Sequence, residues 1–197
     1  YIPYLCYFPG MKPYGACRMC VVSTEAGGRK GVQASCTTPV MADMIVETNS
    51  EEVVDLRRGI TDLLMSEHPH GCLTCHRAEL CGPQDICQRH VAVTDRCTIC
   101  PKNERCELKD TVRFMKLDLT SSLNYHRRDL PIHTDDPFYD RDYNLCIVCA
   151  RCVRACDEIQ GSFILQMSGR GYDTKVIAGN DTGFEEADCV SCGQCVF

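Results

Sequence analysis

The chain lacks the features that would point to a membrane, to export or to nucleic acid. No apolar run approaches the roughly 20 residues that cross a bilayer, and the first residues lack the basic and then apolar pattern of a signal peptide. Tryptophan is absent, the formal net charge is −6, and the basic residues are scattered. A nucleic-acid site needs a basic patch, so the scattered basic residues predict no nucleic-acid partner. The lack of a long apolar run and of a signal peptide predicts a cytoplasmic protein with no membrane span.

The sequence also lacks the signatures of a substrate-converting site. Residues 168–173, "SGRGYD", read as a turn and do not form the phosphate-binding pattern G-x-G-x-x-G. No nucleophile stands beside a general base and a group to orient it. We therefore predict no catalytic residues in this chain.

Cysteine is the residue present in excess, at 18 of 197 positions. In a short secreted chain such a density would indicate a disulfide scaffold. Without a signal peptide, a reducing compartment and thiols that hold metal are favoured. The spacing of the cysteines then decides which of them share a site.

The patterns between the cysteines predict short elements and long loops. Before residue 50, only residues 19–23 read as a strand, and the remainder reads as loops around a site. Ser50 is a typical N-cap for a helix that ends before Pro69, and its apolar residues at helical spacing are Val53, Leu56, Ile60, Leu63 and Leu64. A second helical pattern surrounds Cys106, and residues 162–179 read as strand, turn and strand.

The strongest motif is C-x2-C-x2-C-x3-C, formed by Cys146, Cys149, Cys152 and Cys156. Its first three positions are repeated by Cys189, Cys192 and Cys195. In two-cluster bacterial ferredoxins, three cysteines of such a run hold one [4Fe-4S] cluster and the fourth ligates the other. The pattern therefore predicts one cluster on the first triplet and another on the second triplet with Cys156. Zinc is the alternative, although a structural zinc site usually takes its four ligands from two C-x2-C pairs.

A second group has the spacing C-x10-C-x2-C-x15-C and consists of Cys6, Cys17, Cys20 and Cys36. With the surrounding "CYFPG", "GACRMCVV" and "ASCTTPV", it resembles the [2Fe-2S] motif of the large iron-sulfur subunit of respiratory NADH:quinone oxidoreductase. NAD-linked formate dehydrogenase alpha subunits and [FeFe]-hydrogenases share this motif. The resemblance implies a [2Fe-2S] cluster in the loops of a beta-grasp ferredoxin domain, whose first hairpin would precede Tyr1.

The resemblance continues in "HPHGCLTCHRAELC", which fits H-x3-C-x2-C-x5-C. It implies a histidine-ligated [4Fe-4S] cluster on His68, Cys72, Cys75 and Cys81. His70 and His76 lie close by, but only His68 has the spacing of the family, so the other two are assigned to solvent. Imidazole in place of thiolate tends to raise the potential of a cluster.

A further set repeats that C-x2-C-x5-C spacing and consists of Cys87, Cys97, Cys100 and Cys106. Cys87 takes the place of the histidine, and the resemblance implies that ordinary respiratory subunits lack this set. A zinc site with four cysteine ligands is the alternative. We favour [4Fe-4S], because a site beside other clusters is useful only if it carries an electron, and zinc has no redox chemistry.

The ligand count makes these groups consistent with one another. Together they specify one [2Fe-2S] and four [4Fe-4S] clusters, and the 18 cysteines and His68 supply every ligand but one. The missing ligand belongs to the Cys146, Cys149 and Cys152 set. We predict a cysteine two residues beyond Phe197, followed by proline.

The motifs predict an α+β fold in parts. The resemblance implies a truncated beta-grasp [2Fe-2S] ferredoxin domain at residues 1–49, and a small helical cysteine-rich domain with two [4Fe-4S] sites is expected at residues 50–115. After a connector at 116–140, a bacterial-type 2[4Fe-4S] ferredoxin domain occupies residues 141–197. Solvated surface side chains are predicted for the arginines near the ligands, with compensation of cluster charge as the alternative; these arginines are Arg18, Arg77, Arg96, Arg151 and Arg154. Packing over the clusters is predicted for Ile147, Val148, Val153 and Val190.

The resemblance implies an electron-transfer module of a larger NAD(P)-linked oxidoreductase, with electron bifurcation as one form of that function. The resemblance extends to NAD(P)-linked flavin oxidoreductases that begin with a ferredoxin-like domain. The implied partners are a flavoprotein subunit that binds NAD(H), a small [2Fe-2S] subunit, and a C-terminal catalytic domain or subunit. One alternative is the front end of a molybdopterin formate dehydrogenase or an [FeFe]-hydrogenase. The alternative of another class is a zinc-stabilised structural or interaction protein.

Overall fold

The structure is a computed structural model that describes residues 1–69, 71–73, 75–77, 80–82, 84–85, 87, 97–116 and 123–196. It is mixed α/β, with short helices and small sheets. By internal packing the chain divides into two compact units. The first comprises Tyr1–Leu5 and Cys17–Arg127, and the second comprises Cys6–Ala16 and Arg128–Phe197. The division into four segments that the sequence indicates stays a prediction.

A three-stranded antiparallel sheet of order β2-β1-β3 lies in the first unit. Its strands are β1 (Val21–Ala26), β2 (Arg29–Ala34) and β3 (Ile45–Glu47). Gly27 and Gly28 both have positive φ, 56° and 75°, which suits the tight type I′ turn between β1 and β2. The expectation of one strand at 19–23 was incomplete. Because β2 is polar and largely exposed and β3 is exposed throughout, neither strand shows the alternation that marks a half-buried strand.

Helix α1 spans Glu51–Glu67 and confirms the predicted element. The Ser50 hydroxyl accepts a hydrogen bond from the Val53 N–H at 3.4 Å, which is the predicted N-cap. The buried face differs from the expected one, since it consists of Val53, Arg57, Thr61 and Met65. Leu56 and Leu63, expected to face inward, are 43% and 62% exposed. The buried stripe thus contains an arginine, which a search for apolar periodicity passes over.

Helix α2 spans Glu107–Met115 and confirms the second helical pattern. Cys106 is its N-cap, and its sulfur accepts from the Lys109 N–H at 3.4 Å. The buried face is made of Leu108, Thr111, Val112 and Met115. Two 3-10 turns, Cys97–Ile99 and Asn103–Arg105, precede the helix. The four buried residues lie at spacings of three and four, as expected for one face of a helix.

The second unit is built on two small antiparallel sheets. β4 (Ile132–His133) pairs with β5 (Arg141–Asp142), and β6 (Leu165–Ser168) pairs with β7 (Lys175–Ala178). The β6–β7 hairpin confirms the predicted strand, turn and strand. Its core contains Leu165, Val176, Ala178 and Phe184, and the half-buried residues packed against it include Cys146, Cys152, Cys156, Cys189 and Cys195.

A short helix of the second unit holds the segment that contains Cys6. Helix α3 (Arg151–Arg154) continues directly into a π-helical turn at Ala155–Ile159. Arg151 donates to the Tyr7 carbonyl at 2.6 Å, and Arg154 donates to the Lys12 carbonyl. The Lys12 N–H in turn donates to Glu158 at 2.8 Å. These bonds fix residues 7–12 along one side of the helix.

In the part of the chain that the structure describes, no helix combines the length and the apolar character needed to span a bilayer.

Candidate metal centres

All 18 cysteines lie in described residues, and none of them forms a disulfide. Cys6 and Cys20 are buried, Cys192 is exposed, and the others are half-buried. Among the described residues, no group of three or more His, Cys, Asp or Glu side chains is arranged to hold a metal ion. The ligand sets therefore stay predictions, and the structure bears on them through loop geometry and the neighbours of each thiol.

The loops at Cys146 and Cys189 have the same backbone geometry. In each loop the residue before the second cysteine has a positive φ, 55° at Val148 and 50° at Ser191. The N–H of that residue donates to the sulfur of the first cysteine, at 3.3 Å in one loop and 3.4 Å in the other. The residue after the second cysteine also has a positive φ, 59° at Ala150 and 76° at Gly193. The degenerate sequence repeat is therefore a structural repeat that turns backbone amides toward sulfur.

The thiols of these loops influence one another electrostatically. Burial raises the pKa of Cys152 to about 12, and the neighbouring Cys146 and Cys149 contribute to this rise. Burial is also the main cause that raises the pKa of Cys195. The thiols that add to it are Cys189, Cys192 and Cys156. Cys195, which the sequence assigns to the second set, also contributes to the rise at Cys152. The thiols of the two loops are therefore close enough to influence one another within and between the predicted sets.

Cys156 lies within the π-helical turn that extends α3. The Gln160 N–H reaches back five residues to the Ala155 carbonyl at 3.1 Å, and the Ser162 N–H bonds the Cys156 carbonyl at 3.0 Å. A π turn changes the direction in which following side chains project, and such turns are common at functional sites. The predicted ligand Cys156 therefore lies in a segment of this kind.

The C-x2-C stretches of the first unit form a different kind of turn. The Cys75 N–H donates to the Cys72 carbonyl at 3.1 Å, and the Cys100 N–H donates to the Cys97 carbonyl at the same distance. A hydrogen bond to Cys72 is the main cause that raises the pKa of Cys97, ahead of burial and the charges of other thiols. The structure therefore places Cys72 and Cys97 side by side, although the sequence assigns them to different sets.

His68 follows the last residue of α1 and caps it, since its N–H donates to the Leu64 carbonyl at 3.1 Å. Its Nδ1 lies 2.8 Å from the Pro69 carbonyl oxygen. A histidine that donates from Nδ1 to a backbone carbonyl presents Nε2 as an acceptor, which is the arrangement of many metal ligands. His76 is exposed, and His70 lies outside the described residues.

The N-terminal set has its members in loops and at the start of β1. Cys20 immediately precedes β1, and its carbonyl accepts from the Ser35 N–H at 3.1 Å, one residue before Cys36. Arg18, between Cys17 and Cys20, has a φ of 58°. Cys17, Cys20 and Cys36 belong to the first unit, and Cys6 belongs to the second.

The donors present fit iron-sulfur chemistry. Thiolate is the usual ligand of such clusters, and hydrogen bonds to sulfur help to set their potential. Backbone N–H groups donate to the sulfurs of Cys106, Cys146 and Cys189 at 3.3–3.4 Å. Backbone segments with alternating φ sign expose N–H groups toward anions, as in many iron-sulfur sites. The residues predicted above would therefore hold [2Fe-2S] and [4Fe-4S] clusters, which supply one-electron redox chemistry.

Buried arginines are functional candidates that the sequence analysis missed or placed in solvent. Arg57 is 0% exposed and Arg141 is 8% exposed. Arg154, predicted to be solvated, is 7% exposed, so that expectation was wrong. Val190, predicted to cover a cluster, is 60% exposed, and its packing over a cluster stays a prediction. No sequence signal identifies the arginines, because their burial depends on the strands and loops packed against them.

Two family models and several relatives are all of iron-sulfur proteins. The model of the NADH-ubiquinone oxidoreductase-G iron-sulfur binding region matches residues 57–92, and that of a 2Fe-2S iron-sulfur cluster binding domain matches residues 1–51. The chain is 30% identical over 200 residues to NADP-reducing hydrogenase subunit HndD of Solidesulfovibrio fructosivorans, covering 99% of this chain and 29% of that protein. It is 31% identical over 197 residues to a G-type NADH-quinone oxidoreductase subunit of Rhizobium meliloti (strain 1021), covering 99% of this chain and 20% of that protein.

A solved structure is also similar. The crystal structure of NAD+-reducing [NiFe]-hydrogenase in the H2-reduced state superposes with a TM-score of 0.69 at 30% identity. The match covers 90% of this chain and 63% of that one. The sequence analysis named [FeFe]-hydrogenases, so this similarity adds a hydrogenase of another metal class.

These findings define an iron-sulfur binding protein with regions for both 2Fe-2S and 4Fe-4S clusters. The chain is similar to G-type subunits of NADH-quinone oxidoreductase, to hydrogenase subunit HndD and to putative formate dehydrogenases, which confirms the resemblance drawn from the motifs. The chain spans less than a third of the length of the curated relatives it matches.

Proposed function

We propose that the chain relays electrons between a flavoprotein partner and a second redox site of a larger NAD(P)-linked, electron-bifurcating oxidoreductase. The relay consists of one [2Fe-2S] and four [4Fe-4S] clusters on the predicted ligands. The observation that carries this proposal is the repeated N–H···S geometry of the Cys146 and Cys189 loops at 3.3 and 3.4 Å. Two turns of one geometry, each with its neighbouring thiols, suit two clusters of one kind.

The proposal includes the finer domain composition. A [2Fe-2S] ferredoxin-like part precedes a helical part with two [4Fe-4S] sites, and a 2[4Fe-4S] ferredoxin-like part follows. The small sheet of β1 to β3 and the N-cap of α2 at Cys106 support the first two parts. The structural repeat at Cys146 and Cys189 supports the third.

The proposed partners are a flavoprotein subunit that binds NAD(H), a small [2Fe-2S] subunit and a catalytic domain or subunit. Support comes from the names of the relatives, which are subunits of NADP-reducing and NADH-linked enzymes. The proposed compartment is the cytoplasm. The proposed use of the cysteines as metal ligands supports it, because structural disulfides are rare where glutathione and thioredoxin keep thiols reduced.

A second candidate function is the front end of a molybdopterin formate dehydrogenase or of a hydrogenase catalytic subunit. The relatives named as putative formate dehydrogenases, 29% identical over 196 residues, favour it. Both candidates use the same relay and differ in the site that receives the electron. Steady-state reduction of NAD(P) by formate or by hydrogen, measured on the whole complex, separates them.

The experiment that tests the relay is metal and sulfide analysis of anaerobically purified protein. We expect about 18 iron atoms per chain, the content of one two-iron and four four-iron clusters, with an equal amount of acid-labile sulfide and little zinc. EPR spectra during reductive titration should resolve several one-electron signals. A colourless, zinc-loaded protein would instead identify the structural zinc alternative and overturn the proposal.

A further inference from the structure

Arg57 is the charged residue on the buried face of α1. The other three residues of this face, Val53, Thr61 and Met65, are neutral. Arg57 is 0% exposed and is the largest fully buried side chain among the described residues. An arginine guanidinium stays protonated in proteins, so the first unit contains a permanent positive charge beneath its sheet.

The guanidinium joins α1 to the ends of two strands. Its Nη2 donates to the Val21 carbonyl at 2.6 Å, next to Cys20. Its Nη1 donates to the Thr48 carbonyl at 2.9 Å, just after β3. Its Nε is buried and has no hydrogen-bond partner among the described residues. The guanidinium carries five N–H donors, and the two neutral carbonyls accept hydrogen bonds from two of them.

The buried charge lacks an acidic partner in the described part of the chain, where no carboxylate lies within ion-pair distance of it. Burial lowers the pKa of Arg57, and the negative charge of Cys20 acts in the opposite direction. An unpaired buried charge costs several kcal/mol, so such charges are normally paired. The hydrogen bond to the Val21 carbonyl holds the guanidinium next to Cys20 in the chain, and Cys20 carries a negative charge whenever it binds metal as a thiolate.

We infer that Arg57 is a positioning residue of the [2Fe-2S] site: it supplies the buried counter-charge on the Cys20 side and raises the reduction potential there. This inference rests on the proposed function. One-electron reduction of the site, here by dithionite, adds one negative charge to it and involves no bond between substrate and protein. A fixed positive charge in a low-dielectric environment favours that added charge. Burial makes the effect large, because water screens exposed charges far more strongly.

The test measures the midpoint potential of the reduced [2Fe-2S] EPR signal in the holoprotein. Arg57→Gln removes the charge, and we expect the equilibrium constant for reduction to fall about tenfold, equal to a shift of about −59 mV for one electron. Arg57→Lys keeps the charge but gives up the forked hydrogen bonds, so it should lower thermal stability and keep the wild-type potential. A purely structural role would instead shift both variants together with their stability.

The matched control is Arg58→Gln. Arg58 is the next residue on α1, its side chain is 53% exposed, and it pairs with Asp55 at 3.9 Å. Its replacement removes the same charge from the same helix but from a position that water screens. We expect its midpoint potential to match the wild type. An equal shift in Arg58→Gln and Arg57→Gln would show an effect of net charge and overturn the inference.

The remaining outcomes also decide the matter. Arg57→Met is a second neutral variant, whose flexible side chain fills most of the arginine volume. If both neutral variants fail to assemble the cluster and Arg57→Lys assembles it, the charge is required and the inference holds. If Arg57→Lys fails as well, the role is structural. A wild-type protein without a [2Fe-2S] signal overturns the proposed function itself, whereas a normal signal with an unchanged potential in Arg57→Gln overturns only the role of Arg57.

Discussion

The C-x2-C stretches of the two units share a spacing but differ in backbone conformation. At Cys146 and Cys189, a residue with positive φ turns its N–H to the preceding cysteine sulfur. At Cys72 and Cys97, the fourth-residue N–H bonds the first-residue carbonyl at 3.1 Å, and the turn at Cys97 is a 3-10 helix. The same four-residue pattern therefore gives either an amide directed at sulfur or an ordinary turn.

The difference shows that the C-x2-C spacing does not determine the hydrogen bonds made to the cysteine sulfurs. Hydrogen bonds to sulfur raise the potential of an iron-sulfur cluster. The loops of the second unit already direct one amide to a sulfur at 3.3 or 3.4 Å. In the Cys97 set, the corresponding bond comes from the helix N-terminus at Lys109, which donates to Cys106. The two kinds of loop thus supply amides from different sources.

The largest expected effect is the loss of iron when Cys72 or Cys97 is replaced, which tests whether the two cysteines belong to separate sites. Cys72→Ala and Cys97→Ala should each remove about four iron atoms per chain, the content of one [4Fe-4S] cluster. Because the sequence assigns them to different sets, the EPR signal lost should differ between the two variants. Iron analysis and EPR of the reduced proteins check this. Loss of the same signal from both variants would show that the adjacent thiols serve one shared site.

The next largest effect is a change in the potential of one cluster when His68 is replaced. His68 is the predicted ligand that distinguishes the two sets of the first unit. His68→Cys replaces imidazole by thiolate, so we expect the potential of one [4Fe-4S] cluster to fall with no loss of iron. A redox titration followed by EPR measures the shift. His76→Gln is the matched control, since His76 is exposed and should leave every potential unchanged. An unaltered titration in His68→Cys would exclude His68 as a ligand.

A smaller effect separates the two loop conformations directly. Val148 is β-branched and has a φ of 55°, a strain that costs on the order of 1–3 kcal/mol. Val148→Gly keeps the N–H and relieves that strain, so it should raise the free energy of unfolding by about 1 kcal/mol after the entropy cost of glycine. Ile99 holds the same position in the Cys97 loop but lies in a 3-10 turn, so Ile99→Gly should lower stability by about 0.5–1 kcal/mol.

Anaerobic denaturant unfolding of the two variants measures both changes. Opposite signs support the distinction between the loops. If Val148→Gly destabilises the protein as much as Ile99→Gly does, the positive φ at Val148 does not store strain and the two loops are energetically alike.

The sequence predicted the helices and the hairpin because each has a local signal. Ser50 and the acids after it mark the start of α1, and the Gly169-Arg170-Gly171 turn separates β6 from β7. The exposed strand β3 and the buried Arg57 have no such signal, since their environment depends on residues far along the chain. Cysteine spacing indicated the ligand sets through the family resemblance, whereas the contact between Cys72 and Cys97 arises only when the chain folds.

The smallest effect tests how well the Cys97 turn is packed. Thr98 lies between the two cysteines of that turn, and its buried hydroxyl has no hydrogen-bond partner among the described residues. Replacing a buried, unpartnered hydroxyl by a methyl group of the same shape removes a desolvation cost. Thr98→Val should therefore raise the free energy of unfolding by about 0.5 kcal/mol without changing the iron content. A loss of stability would mean that the hydroxyl is bonded in the metal-loaded turn, which would make this loop, like those of the second unit, a source of hydrogen bonds to its site.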